Sequence, residues 1–319
     1  DWGQSEKKLS VFLDEIDDID VIVATGFIAG DRSGRRVTLG RNSSDYSAAI
    51  FAKLFKSTSL TIWTDVDGVM SADPRQVPSA FVIEQLSYKE ALELAYFGAS
   101  VLHPLTIPLL AQDSITLRIK NSFEPELSGT LIDDNVSTQS YPVKGLSSID
   151  DIALLSVEGA GMIGVSGISA RVFNGLQQKN ISVIFITQAS SEYSICLAVK
   201  ESQAQLACQA LTEAFAMELQ LGHIENISID IDSAIIAIIG DGMVGERGIA
   251  ARFFSALSNA RINIRAIAQG SSERNVSVIV RKNDLSRSLR AVHAAFHLSR
   301  KTISIGLIGP GNIGKTFLK

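Results

Sequence analysis

Apolar and polar positions along residues 1–135 alternate between short apolar runs and stretches of helical period. Residues 20–25 (DVIVAT) are a nearly unbroken apolar run and predict a buried strand; 26–34 predict a glycine-punctuated loop. Residues 44–55 place apolar side chains at helical spacing, with Ser44 and Asp45 at the start. Residues 58–64 are rich in β-formers, and 115–120 predict another strand. Residues 87–97 predict a helix: Ser87 and Glu90 have the spacing of a capping box, and Gly98 is a natural stop. Strands alternating with helices predict an α/β layer fold.

Residues 121–151 are rich in Ser, Asp, Pro and Gly and predict a domain boundary. Beyond it the chain repeats itself. Residues 153–200 align without gaps onto 234–281, and about 18 of 48 positions are identical. Each copy reads strand, glycine loop, helix, strand, tight turn, strand. Second helices follow at 201–219 and 284–297. The second strands, 181–186 and 262–267, run into TQASSE and AQGSSE, and the third strands start at once. A turn that short makes an antiparallel hairpin, so each copy is a βαββ unit of ferredoxin-like α+β type. A last strand-like run, 303–308, leads into GPGNIGKTFLK.

Composition narrows the class. The chain has 319 residues, 46% of them hydrophobic, enough for real cores and too many for a disordered chain. Its net charge of −5 argues against a nucleic-acid partner. Two cysteines, Cys196 and Cys208, exclude a disulfide scaffold and a cysteine-built zinc site, and suit a reducing compartment. The apolar runs are far below the roughly 18 residues of a membrane span, and the start lacks a signal peptide. A cytoplasmic protein without membrane contact is expected. The missing initial Met suggests a piece of a longer chain.

G-x-G-x-x-G occurs three times: at Gly159, Gly161 and Gly164; at Gly240, Gly242 and Gly245; and at Gly309, Gly311 and Gly314. In the two repeats the hairpin rules out a dinucleotide unit, which needs a parallel strand with an acid about 20 residues on. There the glycines serve loop geometry and a small-molecule contact. The third match follows a strand and opens a helix, as the beginning of a nicotinamide-binding domain does; a chance match is the alternative.

Two further stretches look chemical. In VTLGRNSSDYSAAIFAKLF, Arg41, Ser44 and Asp45 stand where a helix N-terminus can hold an anion; alternatively Ser43 or Ser44 caps the helix and Arg41 is a solvated charge. In WTDVDGVMSADPR, Asp65, Asp67 and Asp73 follow a strand end, where ligands of α/β sheets bind; alternatively they form an acidic turn. Gln188 and Gln269 end equivalent strands, near loops (Gly161, Met162; Gly242, Met243) expected to present backbone N–H groups; both could instead satisfy turn backbone. His293 and His297 are spaced i, i+4 but lack the intervening acid and third ligand of a zinc site, so no metal centre is expected.

Together TLGRNSSDYSAA, TDVDGVMSADPR and LSYKEALELAYFGASVLHP resemble three successive signatures of the aspartate kinase family. ITQASSE and IAQGSSE resemble the effector-binding turns of tandem ACT domains, and IGLIGPGNIG the entry to a homoserine dehydrogenase, as in the bifunctional enzymes. The resemblance implies the C-terminal part of an amino-acid-kinase fold, with a parallel sheet, over 1–135. It further implies ACT domains over 136–228 and 229–300, and the start of an NAD(P)-binding domain over 301–319. It implies Mg-ATP-dependent phosphorylation of the L-aspartate β-carboxylate, with NADP or NAD serving the dehydrogenase. Arg41, Ser44 and Asp45 would handle aspartate; Thr64, Asp65 and Arg75 would contact the nucleotide. L-threonine would bind around Gln188 and Gln269, between ACT units of a homodimer or larger oligomer. Met70 stands where the family usually has Tyr, Ser100 where it has Lys, and Asn42-Ser43 where it has two glycines. The family's Lys-Phe-Gly-Gly loop is absent, so the chain by itself is expected not to turn over; a non-catalytic amino-acid sensor is the alternative.

Overall fold

The computed structural model describes residues 1–16, 19–40, 43–96, 102–103, 105–134, 141–188 and 190–298. The first half runs α1 (Trp2–Asp14), β1 (Ile28–Gly30), β2 (Arg36–Thr38), α2 (Ser44–Leu54), β3 (Ser59–Thr64), β4 (Gln85–Leu86), α3 (Tyr88–Tyr96), α4 (Thr106–Gln112), β5 (Thr116–Asn121) and β6 (Thr130–Ile132). β3, β5, β6 and β4 lie in that order in one sheet. β3 and β5 are parallel, as are β4 and β6, but β5 and β6 are antiparallel. The sheet is therefore mixed where a parallel one was expected. The 122–129 link is too short for the dozen residues a parallel crossover needs. Gly129 makes the turn at φ +68°, and a Cβ there would meet the Ile119 carbonyl oxygen at 1.9 Å. Alternation along β5 buries Leu117, Ile119 and Asn121, and Leu117 and Ile119 join a core with Ala49, Ile62, Leu86, Leu94 and Leu110.

Residues 20–25 overturn the buried-strand expectation. They are irregular, and Val21 and Val23 are 74% and 94% exposed. An apolar run shows that a strand could be buried, not that a sheet edge is free to receive it. The expected 26–34 loop contains β1, which pairs with β2 as a hairpin. Asp31 organises its turn, accepting the Ser33 and Arg35 amides at 2.8 and 2.9 Å. The Ser33 hydroxyl, then the Arg35 guanidinium, hold its pKa down at about 2.

The second half builds one six-stranded sheet from both repeats. The first copy comprises β7 (Gly145–Glu158), α5 (Ile168–Gln178), β8 (Phe185–Gln188), β9 (Ser194–Lys200), α6 (Ala204–Ala214) and α7 (Ala216–Gln220). The second comprises β10 (Asn226–Ile239), α8 (Ile249–Asn259), β11 (Ala266–Gln269), β12 (Asn275–Val280) and α9 (Leu285–Ala295). The order is β11-β12-β10-β7-β9-β8, so the copies join by pairing their first strands, with an irregularity around Ser233. Both expected hairpins are present and antiparallel. β8 and β11 begin four residues later than the apolar runs suggested. The helices cover the shared sheet, α6 lying against β10 as well as β7 and β9, and α9 against β7 as well as β10. The two cores hold Val172, Leu176, Leu211 and Phe215, and Phe253, Leu257, Val292 and Phe296. Even the trim is repeated, with Arg171 over the Phe215 ring and Arg252 over Phe296.

Candidate functional site

The first site lies where α2 begins and β3 ends. The two elements pack against each other and are joined by a short link, so they run in opposite directions. This puts the helix N-terminus, with its unpaired amides, beside the carboxyl end of a parallel strand. Ser43, fully buried at the cap position, makes no cap bond; its hydroxyl donates back to the Gly40 carbonyl at 2.8 Å. The first-turn amides are thereby left for an anion. Asp45 follows in that first turn. Partial burial pushes its pKa up, against the backbone N–H of His103, the Ser44 hydroxyl and the His103 charge, which lower it. His103 also stacks on Tyr46, with ring centroids 5.7 Å apart.

At the strand end the Thr64 hydroxyl lies 3.2 Å from Asp65. Asp67 accepts the Asn121 amide at 2.6 Å, tying the ends of β3 and β5 together. Gly68, at φ +145°, permits close approach: a Cβ would meet the Thr130 hydroxyl at 2.5 Å. Arg75 donates to Asp73 from its amide, at 2.9 Å, and from Nε and Nη2, at 3.0 and 2.9 Å. That guanidinium holds the Asp73 carboxyl below its ordinary range. Mg2+ carried by phosphates commonly takes one or two protein carboxylates, a role open to Asp65 and Asp67. Among the described residues no group of three or more His, Cys, Asp or Glu could hold a metal.

The second site is double. Cavities of about 390 and 360 Å³ stand at equivalent places on the two repeats. The first is lined by Met162, Ser166, Ser169, Gln188, Glu192 and others; the second by Met243, Glu246, Gln269, Glu273 and others. In both, the acid of the SSE turn closes the glycine loop. Glu192 accepts the Gly164 amide at 2.8 Å, and Glu273 accepts the Gly245 amide at 2.7 Å. Both glutamates have left-handed backbone, at φ 56° and 55°, a costly conformation for a side-chain-bearing residue.

The sequence-derived residues fare unevenly. The α2–β3 packing places Ser44 and Asp45, at the start of α2, on the same side as Thr64 and Asp65, at the end of β3. Arg75 is further along and already paired. Arg41, Asn42 and Ser100 lie outside the described residues, as do Gly309, Gly311 and Gly314. Gln188, Met162, Gln269 and Met243 line the cavities, whereas Gly161 and Gly242 do not. The Gly161 amide, expected to face a ligand, donates to the His223 carbonyl at 2.9 Å, and a Cβ there would strike His223. The Met162 and Met243 amides likewise bond within their own turns. Those glycines serve packing. Glu192 and Glu273 escaped sequence reasoning, although their repetition in both SSE turns was a visible signal. His293 is buried with Nε2 3.0 Å from the Ser71 hydroxyl and Nδ1 3.4 Å from that of Ser79.

Comparison with known proteins adds independent findings. Residues 3–121 match the amino acid kinase family, and 155–215 and 236–296 each match the ACT domain. The chain is 46% identical to "Bifunctional aspartokinase/homoserine dehydrogenase 1, chloroplastic" of Arabidopsis thaliana over all of its own length and 35% of that protein. It thus spans about a third of such bifunctional relatives. It is 34% identical to "Aspartokinase 2" of Bacillus subtilis, over 91% of this chain and 70% of that one. A crystal structure of E. coli aspartokinase III in complex with aspartate and ADP superimposes with a TM-score of 0.71 and 31% identity. The match covers 85% of this chain and 60% of that one.

Proposed function

The chain belongs to the aspartokinase family, and from that premise we propose that it carries the aspartate- and ATP-handling part of an aspartate kinase together with a threonine-responsive pair of ACT domains. The observation that carries the reading is the pairing of the uncapped α2 N-terminus with the acidic end of β3. Phosphoryl transfer is mainly positioning and charge stabilisation. The α2 amides, with Ser44 and with Arg41, would hold the amino-acid substrate and the developing negative charge. Asp45 would take the substrate ammonium. Thr64, Asp65 and Arg75 would contact the nucleotide, and Arg75 would have to loosen its hold on Asp73 to do so. Mg2+, as the partner of ATP, would neutralise phosphate charge. The product is aspartyl phosphate, formed when a β-carboxylate oxygen attacks the γ-phosphorus and ADP leaves.

Each ACT cavity offers Gln188 or Gln269 as a two-way hydrogen bonder and Glu192 or Glu273 as a counter-charge for an ammonium. Those features fit a small amino acid; threonine is the effector that the turn motifs imply. The ends of β8 and β11, the two outer strands of the sheet, border the cavities and lie against each other, and Ile163, Ile186, Val244 and Ile267 are exposed nearby, which supports a dimer formed over this face. Gly309, Gly311 and Gly314 would open an NAD(P)-binding dehydrogenase domain. We place the domains at 1–135, 136–228, 229–300 and 301–319.

The test is hydroxamate formation from aspartate and ATP by the full-length protein, with and without threonine. Threonine-inhibited activity that Ser44→Ala or Asp65→Ala abolishes is the expected result. A folded, inactive protein that still binds threonine would favour the amino-acid sensor, the reading to which Ser100 in place of the family lysine points.

A further inference from the structure

The cap of α3 is not a local device only. Ser87 and Glu90 form a complete capping box: the Ser87 amide donates to Glu90 Oε2 at 2.9 Å, and the Glu90 amide donates to Ser87 Oγ at 3.1 Å. Each group has capacity left over, and both spend it on Asp241, in the glycine loop of the second repeat. Glu90 Oε1 accepts the Asp241 amide at 2.8 Å, and the Ser87 hydroxyl donates to the Asp241 carboxylate. Arg274 then donates to the other Asp241 oxygen at 2.6 Å. Its neighbour Asn275 donates to Glu93, one turn along α3, at 2.6 Å. Glu90 is only 1% exposed, so its own bonds are shielded from water, while the Asp241–Arg274 pair is partly exposed.

The first repeat serves as an internal control. At the positions of Asp241, Arg274 and Asn275 it has Ala160, Tyr193 and Ser194. Ala160 has no side-chain acceptor, and Tyr193 instead bonds Glu225. The joint is therefore not a by-product of the ACT fold; it depends on side chains peculiar to one copy. The loop that carries Asp241 leads directly into Met243 and Gly245, which line the second cavity, and Arg274 follows Glu273, which closes it.

We propose that Asp241, with Arg274 and Asn275, is the positioning element through which the state of the ACT pair reaches α3 and the kinase half. The proposal rests on the effector reading given above. Glu273 holds the Gly245 amide in this structure. A ligand that draws on Glu273 shifts the glycine loop and the start of β12 together, the two segments bonded to α3. Because the cap of α3 accepts and donates to the same loop, the helix N-terminus follows.

Hydrogen–deuterium exchange on the chain itself tests this. Threonine is expected to protect residues 161–170 and 242–251 and to change exchange in residues 88–96. In Asp241→Ala, the residue of the first copy, protection at the cavities should persist while the change at 88–96 is lost. Asn275→Ser removes one bond only and should leave an intermediate response, which keeps the test open if the first variant folds poorly. In the full-length enzyme the ratio of activity without threonine to activity at saturating threonine should fall about tenfold in Asp241→Ala, with threonine affinity little changed. A response at 88–96 equal to that of the unmodified protein in both variants overturns the joint and leaves the effector reading standing. Silence at both cavities in the unmodified protein sinks the effector reading, and this proposal with it.

Discussion

Two ionisable residues are poised against their own charge. Burial raises the Asp45 pKa, so the folded chain binds the proton more readily than the unfolded chain. The stabilisation that this proton brings is complete below the ordinary carboxylate range and is lost as pH rises through the folded pKa. Asp45→Asn should therefore raise the melting temperature at pH 7, with a smaller gain at pH 4, while aspartate turnover falls by two or more orders of magnitude, roughly the worth of a key substrate contact. A thermal scan at two pH values checks the first half. His293 behaves in the opposite sense. Burial lowers its pKa, so stability is full above the unfolded value of about 6.5 and drains away as pH falls through the folded value. The denaturation midpoint of the unmodified protein should drop between pH 7 and 5 by more than that of His293→Gln, which cannot gain the charge.

Among the elements, those with a local reason to exist were the readable ones. α2 and α3 announced themselves through helical spacing and first-turn chemistry, and the Ser87–Glu90 box is formed as its spacing implied. The βαββ order followed from turns too short for anything but hairpins. What depended on distant partners was hidden. Whether 20–25 pairs is decided by the availability of an edge. The direction of β6 is decided by link length, and the second duty of the Glu90 carboxylate by a loop 151 residues away. At the candidate site, Thr64 came from the family resemblance, while residue types and spacing offered Ser44, Asp45 and Asp65 as candidates. They could not tell that the Gly161 amide is already spent on His223. Two substitutions probe elements directly. Gly129→Ala should cost at least about 2 kcal/mol, since it adds a clash to a left-handed backbone. Glu90→Ala strands two shielded amides and should cost roughly 2–4 kcal/mol. Urea unfolding measures both, and a loss under about 0.5 kcal/mol would remove either argument.

For the whole molecule, ligand binding and stability are linked. A threonine concentration of about 100 times Kd stabilises the folded state by roughly 2.7 kcal/mol per independent site, several degrees in melting temperature. Gln188→Ala and Gln269→Ala should each remove part of that shift, and the double variant nearly all of it. No shift at millimolar threonine would count against both cavities at once. Among the described residues no helix is long and apolar enough to cross a membrane.

The pairing of β7 with β10 also bears on how the protein is made. A ribosome delivers β7 first and then the rest of its repeat, and one long edge of β7 stays bare until β10 begins some 70 residues after β7 ends. At about 5–20 residues per second that is a wait of several seconds with an open strand edge, the kind of surface that recruits neighbouring nascent chains. A gene product cut between the copies keeps that edge permanently. The duplication is thus irreversible in a practical sense: having shared a sheet, neither copy can be shed without exposing the other to aggregation.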